Sequence, residues 1–186
     1  QNIISETRGM LMRMTSDLLF YKLDSEVKDP FRATEGSACF DLHSFLPEDS
    51  VAKVFISHNE QDTEIRERRV VKGRVQINPT ERMLVPTGLI FDIPTGYSVR
   101  LYPRSSLALK QGLTLANNVG IIDSDYVQPV FMMVCNMSGF QQFVTDGERI
   151  CQAELVQEKQ YVLLEINERP ERKTDRDGGF GSTGKG

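Results

Sequence analysis

The sequence predicts an all-β domain, a jelly-roll-like β-barrel or sandwich. Three observations carry this. Short runs rich in Val, Ile, Leu, Phe and Tyr recur at close spacing from Leu18 to Glu165. Pro and Gly punctuate them, as in Asp29-Pro30 and the two Pro-Thr-Gly turns at 86–88 and 94–96. One stretch alone, SSLALKQG at 105–112, offers a turn or two of helix. The 186 residues suit a single domain with a sizeable core.

In order, residues 1–17 show no clear period, although Met10, Leu11, Met12 and Met14 could pack locally, and they read as an N-terminal arm. The predicted barrel spans 18–168. LLFYKL (18–23) is a strand and KDPFRATEG (28–36) a loop. SACFDLHSF alternates and reads as a strand carrying Asp41. Val51–Ile56 and Val70–Ile77 are β-rich runs that can pair as a hairpin. Between them SHNEQDTEIRERR holds acids and arginines with Ile65 as its only aliphatic residue, so it reads as a solvent-exposed excursion. Met83–Val85, Leu89–Ile93, Tyr97–Tyr102, Val130–Cys135, Gln142–Val144, Ile150–Val156 and Tyr161–Glu165 are further strands. From 169 to 186 the tail is polar and Gly-rich, which predicts mobility.

Composition excludes some functions. A net charge of −4 argues against non-specific nucleic-acid binding, which needs a basic face. It leaves open a phosphate-bearing small ligand, for which a few local cations and N–H groups suffice. No apolar run approaches membrane-spanning length and no signal peptide is visible. Cys39, Cys135 and Cys151 are odd in number, widely spaced and without CxxC, which predicts buried free thiols in a reducing compartment, hence a cytoplasmic location.

The chemistry concentrates in Tyr102–Tyr126, YPRSSLALKQGLTLANNVGIIDSDY. Pro103-Arg104-Ser105-Ser106 supplies a fixed cation and two hydroxyls, a combination that can hold a phosphate. Ser is also a good N-cap, so the same turn can start the short helix. The Asn117 amide donates and accepts at once, as a nucleobase edge requires. Asp123 or Asp125 could serve as a general base, and the Tyr126 ring could stack on a sugar or base.

PRSSLA (103–108) and NNVGIIDSDY (117–126) resemble the second and third motifs of the trimeric deoxyuridine triphosphatases, the dUTPases. GSACFDLHS (36–44) resembles the first motif, with Cys39 where the family usually has Gly. GERICQAEL (147–155) resembles the fourth and DRDGGFGSTGKG (175–186) the fifth. Each alone has an ordinary reading as a turn, a cap or an edge strand; the ordered set is specific. GxxxxGK at 179–185 is not a P-loop, because Gly186 stands where Ser or Thr is needed.

The resemblance implies a homotrimer of jelly-roll subunits that converts dUTP and water to dUMP and pyrophosphate. Asp41 would hold, through water, a magnesium ion on the triphosphate. Arg104, Ser105 and Ser106 would bind the phosphates, and Gln152 would bond the phosphate region. Arg149 would support a neighbouring subunit or strand. The 117–130 stretch would be a β-hairpin that pairs with uracil, with Asn117, Gly120 and Ile122 binding the substrate. Tyr126 would exclude a 2′-hydroxyl, and Asp123 would be the base for the attacking water. Phe180 would cover the uracil, and Gly181, Ser182, Thr183 and Arg176 would hold the terminal phosphate. Pro129 cannot donate to a ladder, so the strand edge must be unpaired there. The long Asp41–Pro86 connection implies an insertion at about 51–75, as in a viral or phage-type member acting in the host cytoplasm. That insertion is either a solvated ornament or a surface for a protein partner.

Two other classes were weighed. A dCTP deaminase shares the fold but needs a catalytic Glu on the strand before the Cys-Asn turn, and VFMMVCN (130–136) holds no acid. A regulatory binding protein on a dUTPase scaffold is the third reading; the presence of Asp41, Asp123 and Tyr126 argues that catalysis is intact, without excluding a second role.

Overall fold

The computed structural model describes residues 17–59 and 61–174. Thirteen strands and one helix run in the order β1 (Leu19–Lys22), β2 (Phe40–His43), β3 (Val51–Ser57), β4 (Thr63–Arg69), β5 (Arg74–Ile77), β6 (Arg82–Pro86), β7 (Leu89–Asp92), β8 (Tyr97–Pro103), α1 (Ser105–Gln111), β9 (Leu113–Leu115), β10 (Gly120–Ile122), β11 (Phe131–Asn136), β12 (Gln142–Thr145) and β13 (Arg149–Gln157). A five-stranded sheet has the order β4-β3-β6-β11-β9 and a four-stranded sheet the order β10-β8-β13-β2. Two short pairs, β1-β7 and β5-β12, complete them. All-antiparallel pairing suits a layered β fold in which each strand buries every second residue.

The alternation places the core. On β11, Met132, Val134 and Asn136 are buried, while Phe131 and Met133 remain 45% and 39% exposed. Met83, Val85 and Val54 join them from the five-stranded sheet; Val99, Leu101, Leu42 and Ala153 face them from the other. Asn136 sits at 0% exposure with its amide fully used. Its Nδ2 donates to the carbonyls of Ile77 and Phe140 at 3.0 and 2.8 Å, and its Oδ1 accepts from the Ser138 amide at 2.9 Å. Among the described residues no helix is long and apolar enough to cross a membrane.

Several expectations need correction. Val51–Ile56 does not pair with Val70–Ile77. β3 pairs with β4, from Val51↔Arg69 to Ser57↔Thr63, and β5 pairs with β12. The break falls at Lys72-Gly73, both at positive φ, which turns the chain out of the ladder. The charged excursion is therefore largely strand, although it stays mainly exposed. Glu60, near its tip, lies outside the described residues. Tyr161–Glu165 is not a strand; it has no partner in its own chain's sheets and its residues are exposed. Of the cysteines, only Cys151 is buried; Cys39 and Cys135 are half-buried.

β4 is also anchored by its charges. Arg68 reaches inward to Glu81, Nη1 to Oε2 at 2.6 Å and Nη2 to Oε1 at 3.0 Å, with side-chain exposures of 20% and 6%. The Asn78 backbone N–H donates to the same carboxylate at 2.7 Å. Burial pushes the Glu81 carboxyl up, but the bonds from Arg68 and Asn78 outweigh it and hold the group below its ordinary value of 4.5. Arg68→Met should destabilise the fold by roughly 3 kcal/mol at pH 7, because it leaves a buried carboxylate without its cation. A depressed folded-state pKa stabilises above the unfolded value and is lost as pH falls through the folded value. The deficit should thus narrow as the solution is acidified below the ordinary 4.5. Urea unfolding of both proteins at pH 7 and at acid pH measures this.

Candidate active site

One group of predicted residues gathers at the end of β8. There Pro103 ends the strand and the chain turns into α1. Arg104 is the N-cap residue and no side chain caps the helix, so Ser105 and Ser106 lie inside the first turn rather than capping it. Both are exposed. β13 runs beside this turn, and the Gln152 Nε2 donates to the Pro103 carbonyl at 3.0 Å, fixing where the turn begins. On the other side of β13 lies β2, with Asp41 opposite Gln152. Asp41, Arg104, Ser105, Ser106 and Gln152 thus line one cavity of about 300 Å³, with Cys39 and Arg149 on its wall.

Asp41 is 8% exposed and is held by two guanidinium groups. Arg104 Nε lies 3.2 Å from Oδ1, and Arg149 Nη1 lies 3.1 Å from Oδ2. Arg104 Nη1 also donates to the Arg149 carbonyl at 2.9 Å. Arg149, expected to support a neighbouring subunit or strand, bonds Asp41 on the adjacent strand β2 and also lines this cavity. Nearby, burial and then Glu154 push the Cys39 thiol up, so it stays protonated at neutral pH.

The second group lies on the opposite flank of β8. The 117–130 stretch is not a hairpin: β9 pairs with β11 in the five-stranded sheet, while β10 leaves to pair with β8. The connection is an arch between sheets. Asn118, at φ 58°, makes its corner, and the Asn118 N–H donates to the Leu115 carbonyl at 3.1 Å. Gly120 lies against β8 so closely that a Cβ would stand 3.2 Å from the Leu101 side chain and 3.4 Å from Asn117 Nδ2. A side chain there would press on Leu101 and Asn117, which would have to give by a few tenths of an ångström.

Beyond β10, Asp123 is exposed and its carbonyl accepts from the Tyr126 N–H at 3.1 Å. The Tyr126 hydroxyl donates to the Pro129 carbonyl at 3.1 Å, which ties the ring over the loop. Pro129 stands before β11, which starts at Phe131, so the missing N–H is not lost from the ladder. Asn117, Gly120, Ile122, Asp123 and Tyr126 line a mainly apolar cavity of about 320 Å³ with Leu84, Phe131 and Met133. If Asn117 binds the substrate as the dUTPase resemblance implies, Gly120→Ala should weaken nucleotide binding up to about tenfold by crowding Asn117, a loss of the order of one hydrogen bond. Equilibrium titration with a non-hydrolysable dUTP analogue reads it.

The two cavities share no lining residue. Ile122 pairs with Val99, five residues before Arg104. At about 3.3 Å per residue this sets Asp123 roughly 16 Å or more from the Arg104 turn of its own chain. That is too far for both groups to act on one phosphoryl centre.

A model of the dUTPase family matches residues 70–184. The chain belongs to the dUTPase family. It is 35% identical over 167 residues to the deoxyuridine 5′-triphosphate nucleotidohydrolase of a Hydrogenobaculum species, covering 90% of this chain and 97% of that one. It is 42% identical over 118 residues to the enzyme of the same name from Finegoldia magna, covering 63% and 81%. The dUTPase of Staphylococcus bacteriophage 80alpha superposes with a TM-score of 0.69 at 19% identity, covering 91% of this chain and 99% of that one, which shows the trimeric dUTPase jelly-roll fold.

In this family member the predicted site residues among those described line two separate cavities. Arg176, Phe180, Gly181, Ser182 and Thr183 lie outside the described residues, as does the N-terminal arm up to residue 16. Arg149 is not among the predicted substrate-binding residues, yet it lines the same cavity as Arg104. Its nearness to Asp41 comes from a β-bulge between Arg149 and Cys151, which no linear pattern signals.

Proposed function

We infer that this chain hydrolyses dUTP to dUMP and pyrophosphate. The observation that carries the reading is the pair of half-sites in a dUTPase-family chain: a cationic, hydroxyl-lined cavity at Arg104 and a base-sized, Asn-tipped cavity at Asn117.

In this reading Arg104 leaves Asp41 to meet the phosphates, beside the Ser105 hydroxyl and the Ser106 backbone N–H. Gln152 holds the turn that aims them. Asn117 reads the uracil edge, and a site built to match that edge disfavours cytosine, whose donors and acceptors are exchanged. Tyr126, fixed by Pro129, packs under the deoxyribose. Asp123 accepts the proton of the water that attacks the α-phosphorus. Gly181, Ser182, Thr183 and Arg176 take the terminal phosphate, and Phe180 covers the base.

Magnesium fits the residues present. Asp41 is a lone carboxylate, and among the described residues no group of three or more His, Cys, Asp or Glu gathers. That donor set suits an ion that keeps its waters and takes its remaining ligands from phosphate. Bound there, it would offset charge developing on the triphosphate.

The assembly in this reading is a homotrimer in which one subunit supplies the Arg104 half-site and a neighbour the Asp123 half-site. The separation along β8 supports it. So does the run from Tyr161 to Ile166, whose Tyr161, Val162, Leu163 and Leu164 are 79–87% exposed in the isolated chain and call for a neighbour to cover them. The test is pyrophosphate release from dUTP, dCTP and UTP, with and without magnesium. Release from dUTP far above the other two is expected; equal turnover of all three would overturn the substrate assignment.

A further inference from the structure

We propose that Arg149 is a positioning residue that makes metal binding at Asp41 conditional on the nucleotide. The proposal rests on the dUTPase reading of the Arg104 cavity. Three features support it.

The first is the bulge. Arg149 lies opposite His43 in register, yet Cys151 lies opposite Leu42, so one extra residue is inserted at Ile150. Ile150 is buried, which locks the bulge into the core. Bulges re-aim side chains, and this one turns the Arg149 guanidinium onto Asp41 Oδ2.

The second is the main chain. The Arg149 carbonyl accepts from Arg104 Nη1, so one residue holds both the carboxylate and the phosphate-binding arginine.

The third is charge. Two guanidinium groups on one buried carboxylate leave the local sum at +1. A dication that approaches alone meets net positive charge in a partly desolvated cavity, where repulsion is stronger than in water. A triphosphate reverses that sign and offers Arg104 another partner. The metal then enters with the nucleotide, while Arg149 keeps Asp41 in the orientation that accepts from the metal's waters.

The probe is Mn2+ binding to the full-length protein without nucleotide, followed by electron paramagnetic resonance. Wild type should bind weakly. Arg149→Gln removes one charge and should bind Mn2+ about five- to tenfold more tightly. Arg149→Lys keeps the charge and should stay near wild type. Adding Asp41→Asn to Arg149→Gln should abolish the gain. Thermal melts of each variant confirm folding. An Arg149→Gln constant within twofold of wild type, no binding in either protein, or a gain that survives Asp41→Asn would overturn the proposal. Wild type alone gives a second reading. Its Mn2+ affinity should rise at least tenfold when a non-hydrolysable dUTP analogue is added, beyond the Mn2+ that the analogue alone binds in a protein-free control, by the same reversal of charge. Equal affinity with and without the analogue also overturns the proposal. Wild-type dUTP turnover tests the underlying functional reading separately, since the Mn2+ titration needs no turnover.

Discussion

Asp123→Asn should leave binding of a dUTP analogue within a few-fold of wild type and lower kcat by about 10²–10⁴-fold, the usual range for loss of a general base. Asn is nearly isosteric with Asp, so the loop from Ile122 to Tyr126 should keep its shape. The turn there is closed by backbone, Tyr126 N–H to the Asp123 carbonyl, and the substitution does not touch that bond. What is lost is an acceptor for the water's proton. Asp123 is exposed and lines the Asn117 cavity. KM close to the parental value with a collapsed kcat identifies a group that acts in the transition state. Near-parental turnover would remove Asp123 from the mechanism.

Deleting residues 175–186 should lower dUTP hydrolysis by about 10²-fold or more, because in the proposed reading it removes several donors to the terminal phosphate at once and one such donor alone is typically worth that much. It also removes Phe180, whose ring would shield the base and exclude water. Folding should survive. Among the described residues the buried core cluster runs from Val27 to Ala153. The measurement is steady-state turnover alongside a thermal melt. An unchanged melt with lost turnover is the expected pair; unchanged kinetics would take the tail out of the reaction.

Much of the fold could be read from the chain because β11, β6 and β8 alternate cleanly, and period two is a local signal. Asp41, Arg104, Ser105 and Gln152 were legible as motif residues, and the structure brings them into one cavity. Errors arose where pairing depends on distant residues. Val70–Ile77 reads as one run, but the Lys72-Gly73 turn splits it between two sheets. TEIRERR carries little apolar signal; it is a strand because β3 offers a ladder and Glu81 a buried partner for Arg68. Tyr161–Glu165 has a strand's composition, and among the described residues it pairs with no strand. The arch at 116–120 joins two sheets, although turn residues flanked by short strands look like a hairpin. Arg149 needed a bulge to reach Asp41.

The 51–75 segment also reads differently with its contacts known. Ala52, Val54, Val70 and Val75 belong to the core, and β3 pairs with β6 as well as β4. Replacing 58–68 with a short turn would remove Arg68 and strand Glu81, so a trial of whether the exposed tip is dispensable must spare Arg68.

The central claim is that Arg104 and Asp123 of one site come from different subunits. Mixing two inactive proteins tests it most directly. Asp123→Asn and Arg104→Ala chains are denatured together in equal amounts, refolded, and assayed against each protein refolded alone. If neighbours share each site, every hybrid trimer holds one intact site, and random mixing restores about a quarter of parental activity. If each subunit carries a complete site, the mixture stays as inactive as its parts, and the shared-site account fails.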